Sequence, residues 1–497
     1  MSSIIRGEGF TASERKLGQL ADKTFLRLWS YPNTFNDRTK NASGGGQEFT
    51  DLLVVFDKHV LLFSDKEIEW QTRSPVPLAW SRWYRKAIKE SIGQLEGAER
   101  WLKQHPDRIY TDKACTQPLP IDLPPIESRV VHLIAVASGA NAACRRFFDH
   151  ARGTFMLEPG VKGDRHVDQN RTGYNPFVVG DANPDGSFVH IFDPIGLEFV
   201  LNELDTAADL TAYLVARTNL FRSGKLGVAT GEEDLLASYL MNGFIDGSPG
   251  FVPKKLRTKA RRAVLSISEG EYETYVSSAV YEAFSQRKRA SLYWDQMIEI
   301  ISEDVLGGTS IAILGYQPTA SLSERALRVM AAENRFNRIQ LAEALKGAIE
   351  QAVADDMARF VRRLLIARKP PQRRTGYLFL VAPYHKGDGS YDNYREYRAA
   401  MLETYCIAFA DEQRKLQTIV GLALDIYSED GIIKTRSEDL VAMDAPDWTP
   451  ALRSELATAR VRFGLKDPRE LKVHGSRMKV KNPFRLRNGQ GIERVDV

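Results

Sequence analysis

The chain has 497 residues, 43% hydrophobic and 10% aromatic, so it can bury several cores and global disorder is excluded. At about 150 residues per domain, two to four domains are expected. The net charge of +4 assigns no partner class; only local clusters bear on that question.

Residues 11–29 carry Leu17, Leu20, Ala21, Phe25 and Leu28 at helical spacing, with Thr11 and Glu14 as a capping box. A short extended piece and a loop follow, in which Gly44-Gly45-Gly46 reads as a mobile flap. FTDLLVVF (49–56) and HVLLFSDK (59–66) flank the two-residue turn Asp57-Lys58, which predicts an antiparallel hairpin buried on both faces. Residues 78–103 place Trp80, Trp83, Ala87, Leu95 and Leu102 on one helical stripe. PLPIDLPPIE (118–127) is a linker, and RVVHLIAVAS (129–138) a buried strand.

PFVVGD (176–181) and SFVHIFD (187–193) read as a second hairpin, followed by helical stretches at 196–222 and 231–242. Residues 246–262 shift in composition and suggest a boundary. The region 263–366 reads as mainly helical, its last helix running from Ser321 towards Ile366. GYLFLVAP (376–383) and TIVGLALDI (418–426), around a helix at 392–414, form a small βαβ-like unit, and residues 465–497 are a basic tail.

Cys115, Cys144 and Cys406 are far apart, with no CxxC or Cys/His spacing, which argues against structural zinc and fits a reducing cytoplasm. The first residues lack an apolar h-region, and no uncharged apolar run approaches about 18 residues. A soluble cytoplasmic protein with no membrane partner is expected. HExxH, GxSxG and GxxxxGK[ST] are absent from the sequence. His59, His132, His190 and His385 read as structural histidines.

The residues that carry chemistry cluster early. Asp51 begins one strand of the first hairpin, and Asp65-Lys66 ends the other, at the same edge of the sheet. Carboxylates converging there can hold Mg²⁺, and an adjacent lysine can orient water or offset charge on a phosphate. Gln94 lies about 320° around its helix from Trp80, inside the apolar stripe. Glu14, Asp51, Lys66 and Gln94, on helix, strand, strand and helix, resemble the PD-(D/E)XK, or restriction-endonuclease-like, nuclease superfamily over residues 10–138.

That resemblance implies a restriction-endonuclease-like mixed-sheet α/β domain over 1–225. A helical region (226–370), a small α/β unit (371–464) and the basic tail would follow it. It implies a Mg²⁺- or Mn²⁺-dependent nuclease, acting on DNA ahead of RNA, in a mobile-element or anti-phage defence setting. Asp51, Asp65 and Glu14 would hold metal, Lys66 would act on water and Gln94 would support the site. The pattern places its acid two residues before the lysine, where this chain has Ser64. Three outcomes stay open: a bulge turns Asp65 inward, another acid such as Glu14, Glu48 or Glu67 substitutes, or the chain is a catalytically inactive binding scaffold.

Basic clusters at 254–262, 362–374 and 472–487, and the tyrosine-rich segment 384–398, are secondary candidates for polyanion or base contact.

Overall fold

The computed structural model describes residues 4, 6–40, 44–149, 152–246, 250–251, 264–307, 320–366, 374–385 and 387–465. These fall into two compact units, one within Ile4–Gln286 and the other from Arg287 onward. The architecture is mixed α/β, and no helix among the described residues is long and apolar enough to cross a membrane.

In the first unit, α1 (Ala12–Phe25) starts where the Thr11 side chain accepts the Glu14 N–H, and it buries Leu17, Ala21 and Phe25. Strands β1 (Ser30–Asn36), β2 (Gln47–Phe56) and β3 (His59–Glu67) form an antiparallel meander. The β2–β3 turn is as short as expected: Phe56 pairs with His59, and Asp57 takes φ +53°, a conformation aspartate tolerates. Helix α2 (Val76–Tyr84) runs through a π-helical turn, Arg85–Lys89, into α3 (Glu90–Gln104).

A short β4 (Ile109–Tyr110) pairs with β1, while β5 (Val130–Ser138) lies parallel to β3. Then come α4 (Asn141–Phe148), β6 (Met156–Lys162), β7 (Val178–Asp181) and β8 (Val189–Phe192). The main sheet has the order β4-β1-β2-β3-β5-β8.

The expected hairpin at 176–193 does not form. β8 joins β5 in the main sheet, whereas β7 joins β6 in a second sheet. Val-His-Ile-Phe is wholly buried at the end of the main sheet, where it lies parallel to β5 and is covered on its faces, which a two-stranded ribbon would not provide.

Helices α5 (Pro194–Glu203) and α6 (Ala207–Arg222) replace the single stretch expected at 196–222. β9 (Leu226–Ala229), α7 (Glu232–Asp246), β10 (Leu265–Ile267) and α8 (Glu271–Val276) complete the unit. Because β9 and β10 extend the second sheet in the order β10-β9-β6-β7, this unit runs beyond the boundary expected at 225.

The second unit takes in α9 (Ala279–Leu306) from Arg287 on, with α10 (Ala320–Ala331), α11 (Arg335–Ala354) and β11 (Phe360–Ile366). The helix expected to reach Ile366 therefore ends early. Phe-Val-Arg-Arg-Leu-Leu-Ile is instead a strand, antiparallel to β12 (Thr375–Val381). β12 crosses through α12 (Tyr391–Glu412) to the parallel β13 (Thr418–Glu429), as the βαβ reading predicts. β14 (Ile432–Asp444) and α13 (Pro450–Arg462) follow. The expected middle region is thus divided, its part before Arg287 belonging to the first unit and its part from Arg287 on sharing one unit with the small α/β part. The basic tail lies outside the described residues.

Three histidines stand side by side on the main sheet. His132 pairs with Leu61 and His190 with Ile134, so the rings of β3, β5 and β8 share a face. His59 Nδ1 lies 3.0 Å from His132 Nε2, and the His132 and His190 rings are 6.0 Å apart. Burial pulls His59 down to about 4, with Lys58 adding to it, and His132 down to about 3, with the His59 ring adding to it. His190 is lowered by burial and by Arg217.

A histidine that resists protonation only when folded withdraws stability as pH falls below its ordinary value near 6.5, down to its folded value. Urea midpoints should therefore drop between pH 7 and pH 4.5 in the wild type. The drop should be shallower in His132→Gln; identical slopes would show that the ladder does not titrate with unfolding.

Candidate functional site

A cavity of about 700 Å³ opens between the β2–β3 edge and α3, lined by Glu48, Asp51, Ser64 and Gln94 among others. The Leu52–Phe63 pairing carries Asp51 opposite Ser64. Asp51 Oδ2 accepts the Asp65 N–H at 2.5 Å, which fixes the carboxylate along the strand edge. Ser64 Oγ donates to Gln94 Oε1 at 3.1 Å, with Ser91 Oγ 3.2 Å away. The residue at the expected acid position is therefore tied to the helix glutamine.

Gln94 is exposed to the cavity rather than packed in the apolar stripe. The π-helical turn Arg85–Lys89 holds more residues per turn than an α-helix, so positions beyond it are rotated from a uniform extrapolation. Nothing in Arg-Lys-Ala-Ile-Lys signals such a turn.

Asp65 does not join Asp51. β3 pairs with β5 residue for residue from His59 to Glu67 with no register shift, so no bulge turns Asp65 round. Side-chain alternation then puts Ser64 and Lys66 on one face and Asp65 on the other. Asp65 lies near Ser13 and Glu14, and neither carboxylate oxygen makes a well-formed hydrogen bond, although the Ser13 hydroxyl favours its ionised form. Burial raises its pKa, as do Glu14 and Glu67.

The bulge sits instead in β2. Thr34 pairs with Thr50 but Phe35 pairs with Glu48, leaving Phe49 as an extra residue. That extra residue reverses the alternation and brings Glu48 to the Asp51 face, three positions away.

Glu14 is held at the rim. Its Oε2 accepts the Phe10 N–H at 2.8 Å and Asn33 Nδ2 at 2.9 Å, and the same Asn33 nitrogen donates to Glu48 Oε1 at 3.3 Å. Burial works against its charge, but the Asn33, Phe10 and Thr11 hydrogen bonds prevail and hold Glu14 below the usual carboxylate value. Asn33 has φ +48°, one of the left-handed positions asparagine tolerates.

These charges converge on Asp51. Burial, with Glu48 and Glu14 adding to it, pushes its carboxyl up to about 7 against the pull of the Asp65 N–H and of Lys66. Lys66, half-buried, has no ion-pair partner within 4 Å among the described residues, so its charge acts across space on both aspartates. The expected convergence of Asp51, Asp65 and Glu14 on one ion is not seen. Among the described residues no three such side chains are placed to hold a metal.

No protein-family model, curated protein or solved structure matches the chain. The site therefore stands on its geometry alone.

The same cavity contains residues that the sequence reading passed over: Arg38 and Asn36 at the end of β1, and Arg100 and Trp101 on α3. Arg100-Trp101 after Gly93 and Gly97 was the available signal, since glycines one turn apart open a helix face.

The other candidates are largely structural. Arg363 pairs with Glu412 and Arg362 donates to the Ala344 carbonyl, so neither is a free surface cation. The clusters at 254–262 and 472–487 lie outside the described residues. Tyr384, Tyr391 and Tyr394 pack on one another, and Arg436 lies 5.8 Å over both Tyr384 and Tyr391 while bonding Asp425. Gly44 N–H donates to the Lys40 carbonyl at 3.1 Å. Gly46 is pinned rather than mobile: its N–H donates to the Lys113 carbonyl, and a Cβ there would meet Cys115 Sγ at 2.4 Å.

Proposed function

We propose that the Asp51 cavity hydrolyses nucleic-acid phosphodiester bonds with the help of a divalent cation, Mg²⁺ or Mn²⁺. The observation that carries this is the pairing of Asp51 and Glu48 on one face of β2, at an open cavity, with Lys66 on the adjoining strand end. The order helix, three-strand meander, helix and parallel strand also supports a restriction-endonuclease-like reading.

Mg²⁺ is commonly held by one or two carboxylates, the rest of its shell being water and substrate phosphate. The hard oxygen donors of Asp51 and Glu48 fit that demand. Such a cation, when bound, polarises the scissile phosphate and acidifies a coordinated water. Lys66 offsets charge developing on the phosphate. The Asp65 N–H holds the Asp51 carboxylate in place, and Gln94 with Ser64 positions polar groups on the opposite wall. Burial sets the raised pKa of Asp51, and Glu14 adds to it across space. DNA is the substrate proposed ahead of RNA, in a cytoplasmic defence role that rests on superfamily analogy.

The Ser64–Gln94 hydrogen bond, occupying the expected acid position, favours a second reading: a nucleic-acid-binding or protein-binding scaffold without cleavage.

Incubation of labelled DNA with wild type, Asp51→Ala and Lys66→Ala in Mg²⁺ or Mn²⁺ separates the two. Wild type is expected to cleave fastest, with Lys66→Ala slower by about a hundredfold and Asp51→Ala at least as slow. Equal rates in all three proteins would remove the site from the reaction. No cleavage by any, with salt-dependent binding kept, would leave the scaffold.

A further inference from the structure

Arg38 and Arg100 border the same cavity as Asp51, and both side chains are exposed. Neither guanidinium has a carboxylate within 4 Å among the described residues, in a chain where most buried or half-buried arginines are paired. A free guanidinium presents a planar fork of donors that matches phosphate oxygens.

Trp101 lines the cavity as well. Its indole is held in place: Nε1–H donates to the Arg108 carbonyl at 3.1 Å, the Arg108 guanidinium lies 5.1 Å over the ring, and His105 packs at 4.5 Å. An aromatic plane fixed in this way loses little freedom when a base stacks on it.

The helical wall between these groups is bare. A Cβ at Gly93 would meet nothing within 4 Å, and one at Gly97 only the Arg100 side chain at 3.9 Å. The volume, about 700 Å³, falls among small-ligand sites, which span roughly 300–1,000 Å³. That suits one or two nucleotide units. A base inside a duplex is stacked and paired, so it reaches such a recess only after extrusion.

We infer that Arg38 and Arg100 are a phosphate clamp and Trp101 a base platform, and that the cavity takes an unpaired nucleic-acid strand rather than an intact duplex. This rests on the phosphodiesterase reading for its purpose, yet it makes a separate claim about binding.

The test is fluorescence anisotropy in the presence of EDTA, so that no divalent cation supports cleavage. The probes are a labelled short oligothymidylate and the same strand annealed to its complement, with thymidine 5′-monophosphate as competitor. Wild type should bind the single strand at least tenfold tighter than the duplex. Arg38→Ala and Arg100→Ala should each weaken strand binding about tenfold and reduce the salt slope by about 0.7. Trp101→Leu should weaken binding about tenfold with little change in slope. Circular-dichroism melts establish that each variant is folded, and Trp101→Phe should recover part of the loss.

Unchanged binding in the arginine variants would overturn the clamp while leaving the cleavage assay to decide the chemistry. Equal affinity for duplex would overturn the single-strand assignment. Displacement by the mononucleotide at equal affinity would make the ligand a free nucleotide, which also overturns it. Strand binding through Arg38 and Arg100 without cleavage in Mg²⁺ or Mn²⁺ would support the clamp and sink the phosphodiesterase reading.

Discussion

Asp51→Asn is expected to lower cleavage by a hundredfold to a thousandfold and, at the same time, to raise the melting temperature above pH 7. The first effect follows from removing one of two carboxylates at the proposed cation position. The second follows from burial. The carboxyl stands at about 7 in the folded chain against an ordinary 3.8. Between those values the folded chain keeps a proton that the unfolded chain releases, so rising pH withdraws stability across that window. Above it the ionised group costs on the order of 4 kcal/mol.

Asparagine keeps the shape and an oxygen for the Asp65 N–H but carries no charge. The gap in melting temperature between variant and wild type should therefore be small at pH 4 and large at pH 8. Added Mg²⁺ should narrow the gap at pH 8 by stabilising the wild type alone, because a ligand that binds only the folded state raises its stability. A variant less stable than wild type at pH 8 would mean that Asp51 is a supporting residue, not a strained functional one. Loss of activity with no Mg²⁺-dependent rise in wild-type melting temperature would argue that the aspartate acts without holding a cation.

The parts of the molecule that were readable from the sequence are those whose apolar pattern is local. Leu-Leu-Val-Val-Phe and Val-Leu-Leu-Phe across a two-residue turn have few alternatives to a buried hairpin, and the β12–α12–β13 crossover announces itself similarly. β1 shows less of itself: Ser-Tyr-Pro-Asn-Thr-Phe-Asn reads as a short extended piece, but nothing in so polar a run announces that every residue is buried. Its polar groups find partners made by the fold, Ser30 with Arg6 and Tyr31 with the Leu28 carbonyl.

β14 was missed for the opposite reason, since its charged residues mask a long antiparallel partner for β13. At the site, the sequence pointed to Asp51, Lys66 and Gln94 and left open whether Asp65 or a substitute such as Glu14, Glu48 or Glu67 accompanies Asp51; the fold places Glu48, not Asp65, on the Asp51 face. A single extra residue at Phe49 decides which face Glu48 occupies, and a π-helical turn decides where Gln94 points. Both are local changes of phase, invisible to periodicity, that decide which side chains share the cavity.

Arg217→Met is expected to produce the largest loss of stability of any substitution considered, about 3–5 kcal/mol in urea unfolding. Arg217 and Glu232 are both almost fully buried, at 1% and 3% side-chain exposure, and are joined through Nε at 3.0 Å and Nη2 at 2.9 Å. Tyr213 donates a further hydrogen bond to Glu232 Oε1 at 2.6 Å, and the guanidinium is packed over Phe192 and Phe221 at 4.9 and 4.5 Å. Methionine fills much of the volume but leaves the Glu232 carboxylate buried with only a phenol to answer it.

The magnitude is thus a penalty on the surviving partner rather than a measure of the pair. The double variant Arg217→Met/Glu232→Gln should accordingly regain most of the loss. The two arrangements differ in one further respect. Burial holds His190 neutral and Arg217 adds to it, so removing Arg217 should ease the histidine ladder at β8 and make the acid dependence of unfolding somewhat shallower. A single variant losing less than about 1 kcal/mol would place the pair among solvent-screened bridges, against its burial. A double variant as unstable as the single one would show that the guanidinium's packing over the two phenylalanines, not its charge, holds α6 against the sheet.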